Sequence, residues 1–295
     1  MRLTLALLAS LRPRQWVKNL FVFAGVIFSQ QLLTPRVWPA LAAFAIFCGL
    51  SGAIYLFNDV ADVDKDRLHP SKRRRPVASG ALPIGAAIAF GILLLAGCLA
   101  AAFRLSPAFG LVALFYGALL TAYSVWLKHL VILDVLTVAT GFVLRAVAGA
   151  VAVDVEISGW LLICTILIAL FLALGKRRHE YRSLTGDAAA HRPILAEYSE
   201  GFLDQMISVV TASTVTTYAL YTMSPETVAK FHTRLLPLTL PFVLYGIFRY
   251  LYLLYRRDLG GNPSDLLVTD RGLLLDALLW MLATLAIIYG PKWSS

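Results

Sequence analysis

The stretch Asn58–Gly80, NDVADVDKDRLHPSKRRRPVASG, sets four carboxylates and six cations at the end of an apolar run that begins near residue 40. Few segments that have just crossed hydrocarbon carry such a charge density without a charged ligand at the mouth. The surrounding composition agrees with a membrane origin. Of 295 residues 59% are hydrophobic and 15% charged, and the mean hydropathy is +0.75, which excludes an ordinary water-soluble core. Runs near the roughly 18 to 20 residues that span hydrocarbon recur about nine times. They fall at 17–33, 40–58, 83–103, 107–126, 131–152, 159–175, 203–222, 236–255 and 272–290. The expected fold is all-α: a polytopic membrane helical bundle of about nine transmembrane helices around a central cavity open to the cytoplasmic side. Residues 1–295 read as one domain, with loops near 59–82 and 176–202 long enough to cap that face.

Lys and Arg in short loops stay on the cytoplasmic side. With a cytoplasmic N-terminus and an odd helix count, 19 of the 26 cations fall inside, five outside, and Arg145 and Arg249 within spans. This places the chain in the cell inner (plasma) membrane as a multi-pass protein whose active site faces the cytoplasm. The net charge of +9 then reflects a basic face toward headgroups and phosphates, with no need for nucleic acid. Residues 1–10 carry one Arg and no A-x-A-like cleavage site, and read as an interfacial start. Cys48, Cys98 and Cys164 lie in three separate spans without metal-type spacing, so they are packing residues.

If the helix ending in YLFNDV continues for two turns, Asn58, Asp62 and Asp66 follow at i, i+4 and i+8, and Asp59 lies three and seven residues before the last two. Asp64 falls about 140° from Asp59 and points elsewhere. Clustered carboxylates repel unless a cation joins them, and hard oxygens with retained waters suit Mg²⁺ bridging to a diphosphate. The metal ligands expected are Asn58, Asp59, Asp62 and Asp66. Arg67, His69, Lys72 and Arg73–Arg75 follow as donors for phosphate oxygens, with Arg75, set before Pro76 and the Ser79–Gly80 turn, the leading one. Part of this run can equally be a positive-inside anchor. Asp134 and Arg145 are 11 residues apart, within about 20° on one helical face and roughly 16 Å along the axis. An arginine so deep calls for an interior anionic partner, whether ligand phosphate or carboxylate. Arg249 lies near a helix end, where snorkelling suffices.

The pattern N-D-x-x-D-x-x-x-D, Asn58 to Asp66, resembles the signature of the UbiA-type intramembrane transferase superfamily. Its extension D-R-x-H-P-x-K-x-x-R-P-x-A-S-G, the N-terminal R-P-R-Q-W-V-K-N from Arg12 to Asn19, the stretch Tyr123–Gly149 and L-G-K-R from Leu174 to Arg177 are similar to the decaprenyl-phosphate phosphoribosyltransferase branch. The resemblance covers about residues 10–182. It implies Mg²⁺-dependent transfer of the 5-phosphoribosyl group from phosphoribosyl diphosphate to a polyprenyl (decaprenyl) phosphate with release of pyrophosphate, on the route to the arabinose donor of cell-wall arabinogalactan.

The site this implies has Asp59, Asp62, Asp66 and Lys18 as catalytic residues. Lys18, Asn58, Arg67, Lys72, Arg75, Tyr123, Lys128, Asp134, Arg145, Lys176 and Arg177 would bind substrate. Lys18 could instead serve headgroups, and Lys176 and Arg177 could instead neutralise a helix C-terminus. The aromatic prenyltransferase branch usually carries a second D-x-x-x-D on a later cytoplasmic loop. Here Tyr123, Lys128 and a lone Asp134 stand in that region, which leans toward a donor richer in phosphate. The alternative is a UbiA-type prenyltransferase moving a prenyl group from prenyl diphosphate to an aromatic or other acceptor. A transporter or lipid-binding scaffold is the non-enzyme alternative, but inverted repeats and broken mid-membrane helices are not evident. The partners implied are phosphoribosyl diphosphate, a polyprenyl phosphate lipid and the bilayer, with a homo-oligomer left open.

Overall fold

A computed structural model describes residues 3–68, 72–183 and 193–293. Helices account for the described secondary structure, and no strand occurs among the described residues. In chain order the α-helices and the longest 3₁₀ segment are α1 (Leu3–Ser10), the 3₁₀ segment (Pro13–Phe23), α2 (Ala24–Phe28), α3 (Val37–Ala61), α4 (Val63–Leu68), α5 (Ile84–Leu105), α6 (Pro107–Val125), α7 (Leu133–Ala152) and α8 (Gly159–Ser183). There follow α9 (Glu200–Met223), α10 (Pro225–Phe231), α11 (Leu240–Arg256), α12 (Pro263–Thr269) and α13 (Arg271–Trp293).

Seven segments, at 37–61, 84–105, 107–125, 133–152, 159–183, 236–256 (α11 with the 3₁₀ turn Leu236–Thr239 before it) and 271–290, are long and apolar enough to cross a membrane. The chain is a multi-pass membrane protein. Two of the nine expected spans differ. The 203–222 span does form the 24-residue α9, but its Ser and Thr content keeps it outside the seven. The 17–33 span is not one α-helix. Residues Pro13–Phe23 wind as a 3₁₀ helix, whose three-residue period aligns Trp16, Asn19 and Val22 in one row, and Asn19 and Val22 are buried. The α8 helix also runs on to Ser183, two turns beyond its expected end, so the 176–202 loop begins as helix.

Contacts divide the chain into two compact units. The first comprises Met1–Val26, Gln31–Trp126 and Leu144–Glu156, and the second Ile27–Gln30, Leu127–Val143 and Ile157–Ser295. In the first unit α3 is the central helix. Within its apolar window 61% of residues are buried, against 17% for α5, which turns Ile92 and Leu93 outward as a lipid-facing surface must. Phe47, Leu50, Phe109 and Tyr116 fill this core, with the Phe47 and Tyr116 rings 4.9 Å apart. In the second unit α8 packs on α9 and α11 on α13, around Phe171, Leu174, Leu203, Ile207 and Leu254.

The 3₁₀ segment and the start of α2 approach the second half of α7 through two glycines, Gly25 and Gly149. A Cβ on Gly25 would stand 2.6 Å from the Ala150 nitrogen, and one on Gly149 would overlap the Val22 carbonyl. Both obstacles are backbone, which cannot swing aside. Gly149→Ala should therefore cost about 3 kcal/mol or more of stability. Thermal unfolding in detergent measures it, and a wild-type midpoint would show that this close approach is not required.

Candidate active site

The acidic motif begins where α3 ends. Asp62 is the C-cap of α3, with φ −99° and ψ 13° outside the helical region, and α4 resumes at Val63. The i to i−4 hydrogen bonds persist across this joint, from the Asp62 amide to Asn58 at 2.9 Å and from the Asp66 amide to Asp62 at 2.8 Å. The expected continuous helix is thus bent at one residue. Asp59 and Asp66 turn inward and are buried, while Asp64 is exposed as expected and pairs with Arg67 at 3.1 Å.

A single nitrogen joins the two buried acids. Arg75 Nη1 donates to Asp59 Oδ1 at 3.0 Å and to Asp66 Oδ2 at 2.6 Å. Its loop is built to deliver it. The Arg75 amide bonds to the Lys72 carbonyl, Ser79 to Arg75 and Leu82 to Pro76, and Gly80 takes the left-handed conformation, φ +78°, that closes the turn. Val77 and Leu82 then pack with Leu56 and Ala87 in a buried cluster that pins the loop. Lys72, Arg73 and Arg74 remain exposed, as suits a headgroup-facing anchor.

Arg12 completes the arrangement, and the sequence reading did not include it among the site residues. Its Nη2 pairs with Asp59 Oδ1, its guanidinium lies 4.8 Å from the Tyr55 ring centroid, and its backbone is left-handed at φ +51°. A non-glycine residue held there is a local strain that surrounding contacts must sustain. The signal available in sequence was the position of Arg12 at the head of the R-P-R-Q-W-V-K-N stretch.

Of the expected metal set Asn58, Asp59, Asp62 and Asp66, two members meet at one positive centre. Among the described residues no three His, Cys, Asp or Glu side chains converge on one metal position. Asp59 and Asp66 converge, but Asp62, at the joint, has no side-chain partner among the described residues, and Asn58 likewise. The donor set still fits a divalent cation. Two carboxylate oxygens lie within bonding reach of one positive centre, and two more oxygen-bearing side chains stand one turn away. His69 and His191 lie outside the described residues.

Asp134 and Arg145 share α7 as expected, yet their partners differ. Arg145 Nε donates to Asn19 Oδ1 at 2.8 Å and its Nη2 to Tyr116 Oη at 2.6 Å, and Ser51 bonds to both partners. Asn19 also donates to Cys48 Sγ at 3.3 Å. This buried network, together with the ring of Tyr116 4.9 Å from the guanidinium, seats the charge among oriented neutral dipoles. Asp134, fully buried, instead accepts from Arg177 Nε at 2.6 Å and from Tyr198 Oη at 2.7 Å. Arg177 also meets Glu180, and Lys176 lies 3.7 Å from the same carboxylate group. The two residues proposed as separate substrate ligands, Asp134 and Arg177, thus bind each other.

Lys18 is half-buried on the 3₁₀ segment, Tyr123 half-buried near the end of α6, and Lys128 half-buried just after it. Arg249, expected only to snorkel, forms a two-pronged pair with Asp270 at 3.2 and 2.9 Å. That hydrogen bonding holds the Asp270 carboxyl below its ordinary range.

The profile of the UbiA prenyltransferase family matches residues 19–265. A decaprenyl-phosphate phosphoribosyltransferase of Corynebacterium glutamicum is 32% identical over 297 aligned positions, covering 96% of this chain and 86% of that protein. Its counterpart of the same name in Mycobacterium tuberculosis is 32% identical over 282 positions, 92% of this chain and 90% of that one. Among solved structures, a UbiA homolog from Archaeoglobus fulgidus bound to GPP and Mg²⁺ aligns with a TM-score of 0.73 at 20% identity, over 96% of this chain and 99% of that one.

Proposed function

We propose, on the premise that this chain belongs to the UbiA prenyltransferase family, that it transfers the 5-phosphoribosyl group of phosphoribosyl diphosphate to decaprenyl phosphate. It is an enzyme, a transferase, and prenyl transfer to an aromatic acceptor is the less favoured reading. The ribose C1–O bond to diphosphate breaks, its electron pair leaves with pyrophosphate, and an oxygen of the lipid phosphate forms the new bond to C1. The observation that carries the site assignment is Arg75 Nη1 shared between Asp59 and Asp66 at the mouth of α3, two buried acids already spaced to share one cation.

Asp59 and Asp66, with Asp62 and Asn58 beside them, would hold Mg²⁺, which when bound neutralises charge on the departing diphosphate. Arg75 and Arg12 then exchange carboxylate for phosphate oxygens, and as preorganised donors they favour the charge that develops on the leaving group. Lys18, Arg67 and Lys72 add cations for the same anion. Lys128, Lys176 and Tyr123 serve the phosphomonoesters, one on ribose and one on the lipid. Asp134 pairs with Arg177, which Glu180 ties to Lys176, while Arg145 sits in the separate network of Asn19, Ser51 and Tyr116. A phosphate monoester has its second pKa near about 6, so the attacking oxygen is largely ionised at neutral pH and needs no dedicated base. Positioning and charge neutralisation supply the acceleration. We assign the protein to the inner (plasma) membrane as a single functional domain with this site on the cytoplasmic side, in line with the cation bias.

Membranes containing the protein, given radiolabelled phosphoribosyl diphosphate and decaprenyl phosphate, should yield labelled lipid with Mg²⁺ and none with excess chelator. Label entering lipid only from prenyl diphosphate and an aromatic acceptor would sink the reading.

A further inference from the structure

The segment that links α6 to α7 is held in an unfavourable conformation. Ile132, β-branched, sits in the left-handed region at φ +68°, where its side chain crowds the backbone. Such a residue persists only when other contacts hold it. The contact is Tyr198: the Ile132 amide donates to Tyr198 Oη at 2.8 Å, and the same hydroxyl donates to Asp134 Oδ1 at 2.7 Å. Burial keeps this phenol protonated, its pKa raised far above the ordinary tyrosine range; the Ile132 amide opposes the shift and Asp134 adds to it. Tyr198 ends the Pro193–Glu197 turn, which packs against Leu127–His129, and its own ring stacks on Phe202. Lys128 lies in that packed turn, half-buried.

We infer that Tyr198 is a positioning residue for the transfer reaction, tying the 193–198 turn to the 127–134 segment so that Lys128 is presented to a phosphate monoester. The inference rests on the phosphoribosyl-transfer reading and adds a residue to it. The monoester is either the 5-phosphate of the donor or the head of the lipid acceptor, and the two Michaelis constants tell them apart.

The test uses the full-length protein in nanodiscs, as wild type, Tyr198→Phe, Lys128→Ala and the double variant. Losing one hydrogen bond to a charged network should raise the KM of one substrate about tenfold in Tyr198→Phe, with kcat within about threefold. Lys128→Ala should raise the same KM, and the double variant should be no worse than Lys128→Ala. Backbone hydrogen exchange across 127–134, measured without substrate, should accelerate in Tyr198→Phe. Unchanged KM values, effects that multiply in the double variant, or unchanged exchange would each overturn the inference alone. A wild-type protein that transfers no phosphoribosyl group would instead sink the functional reading beneath it.

Discussion

Asp66→Ala should lower label transfer from phosphoribosyl diphosphate to lipid about a thousandfold, the scale at which a preorganised charge-stabilising group is lost. Asp64→Ala, two residues away, should stay within about twofold of wild type, as exposed substitutions usually do. The contrast follows from where the joint at Asp62 sends each side chain. Asp66 is buried against Arg75, whereas the Asp64 side chain keeps 87% of its surface and meets Arg67 across a solvated i,i+3 pair. Exposed pairs of that kind contribute between about 0 and 1 kcal/mol. Asp62→Ala is expected to follow Asp66, because a carboxylate beside the pair and without a partner among the described residues can turn toward a bound cation. Steady-state rates at saturating Mg²⁺ measure all three. Equal losses at Asp64 and Asp66 would overturn the assignment of one inward face.

Arg75→Ala should be the most destabilising of the charge substitutions. It removes the shared cation from two side chains that expose only 2% and 3% of their surface. Asp59 retains Arg12, so the cost falls on Asp66, left buried and unpaired at about 3 kcal/mol, the lower end for a broken buried pair. A divalent ion can take the place of the lost guanidinium. Added Mg²⁺ should therefore raise the thermal midpoint of Arg75→Ala in detergent by more than it raises that of wild type. An identical Mg²⁺ response in both proteins would count against a metal shared by Asp59 and Asp66.

Much of this site was legible because its members are close in sequence. Asp59 and Asp66 stand seven apart, two helical turns, and Arg75 precedes a Pro and a Gly that force the chain to double back. Arg12 was not assigned to the site, since nothing local tells that a left-handed residue 47 positions upstream will return to Asp59. Asp134 and Arg145 show the other limit. Their common helical face was readable from spacing, but their partners lie far along the chain, Arg145 with Asn19 and Tyr116, Asp134 with Arg177 and Tyr198. Periodicity identifies a face and is silent on what covers it.

By itself the sequence determined that the chain is a helical membrane protein, where most of its long helices lie, and which loop bears the acidic motif. These properties are sums of local transfer energies and short-range spacings, which add residue by residue. Tertiary structure alone decided that Pro13–Phe23 winds as a 3₁₀ helix against a glycine of α7, that α3 breaks at Asp62, and that each buried charge has its present partner. A buried charge is stable only beside a partner at hydrogen-bonding distance, and that partner is chosen by the packing of distant segments.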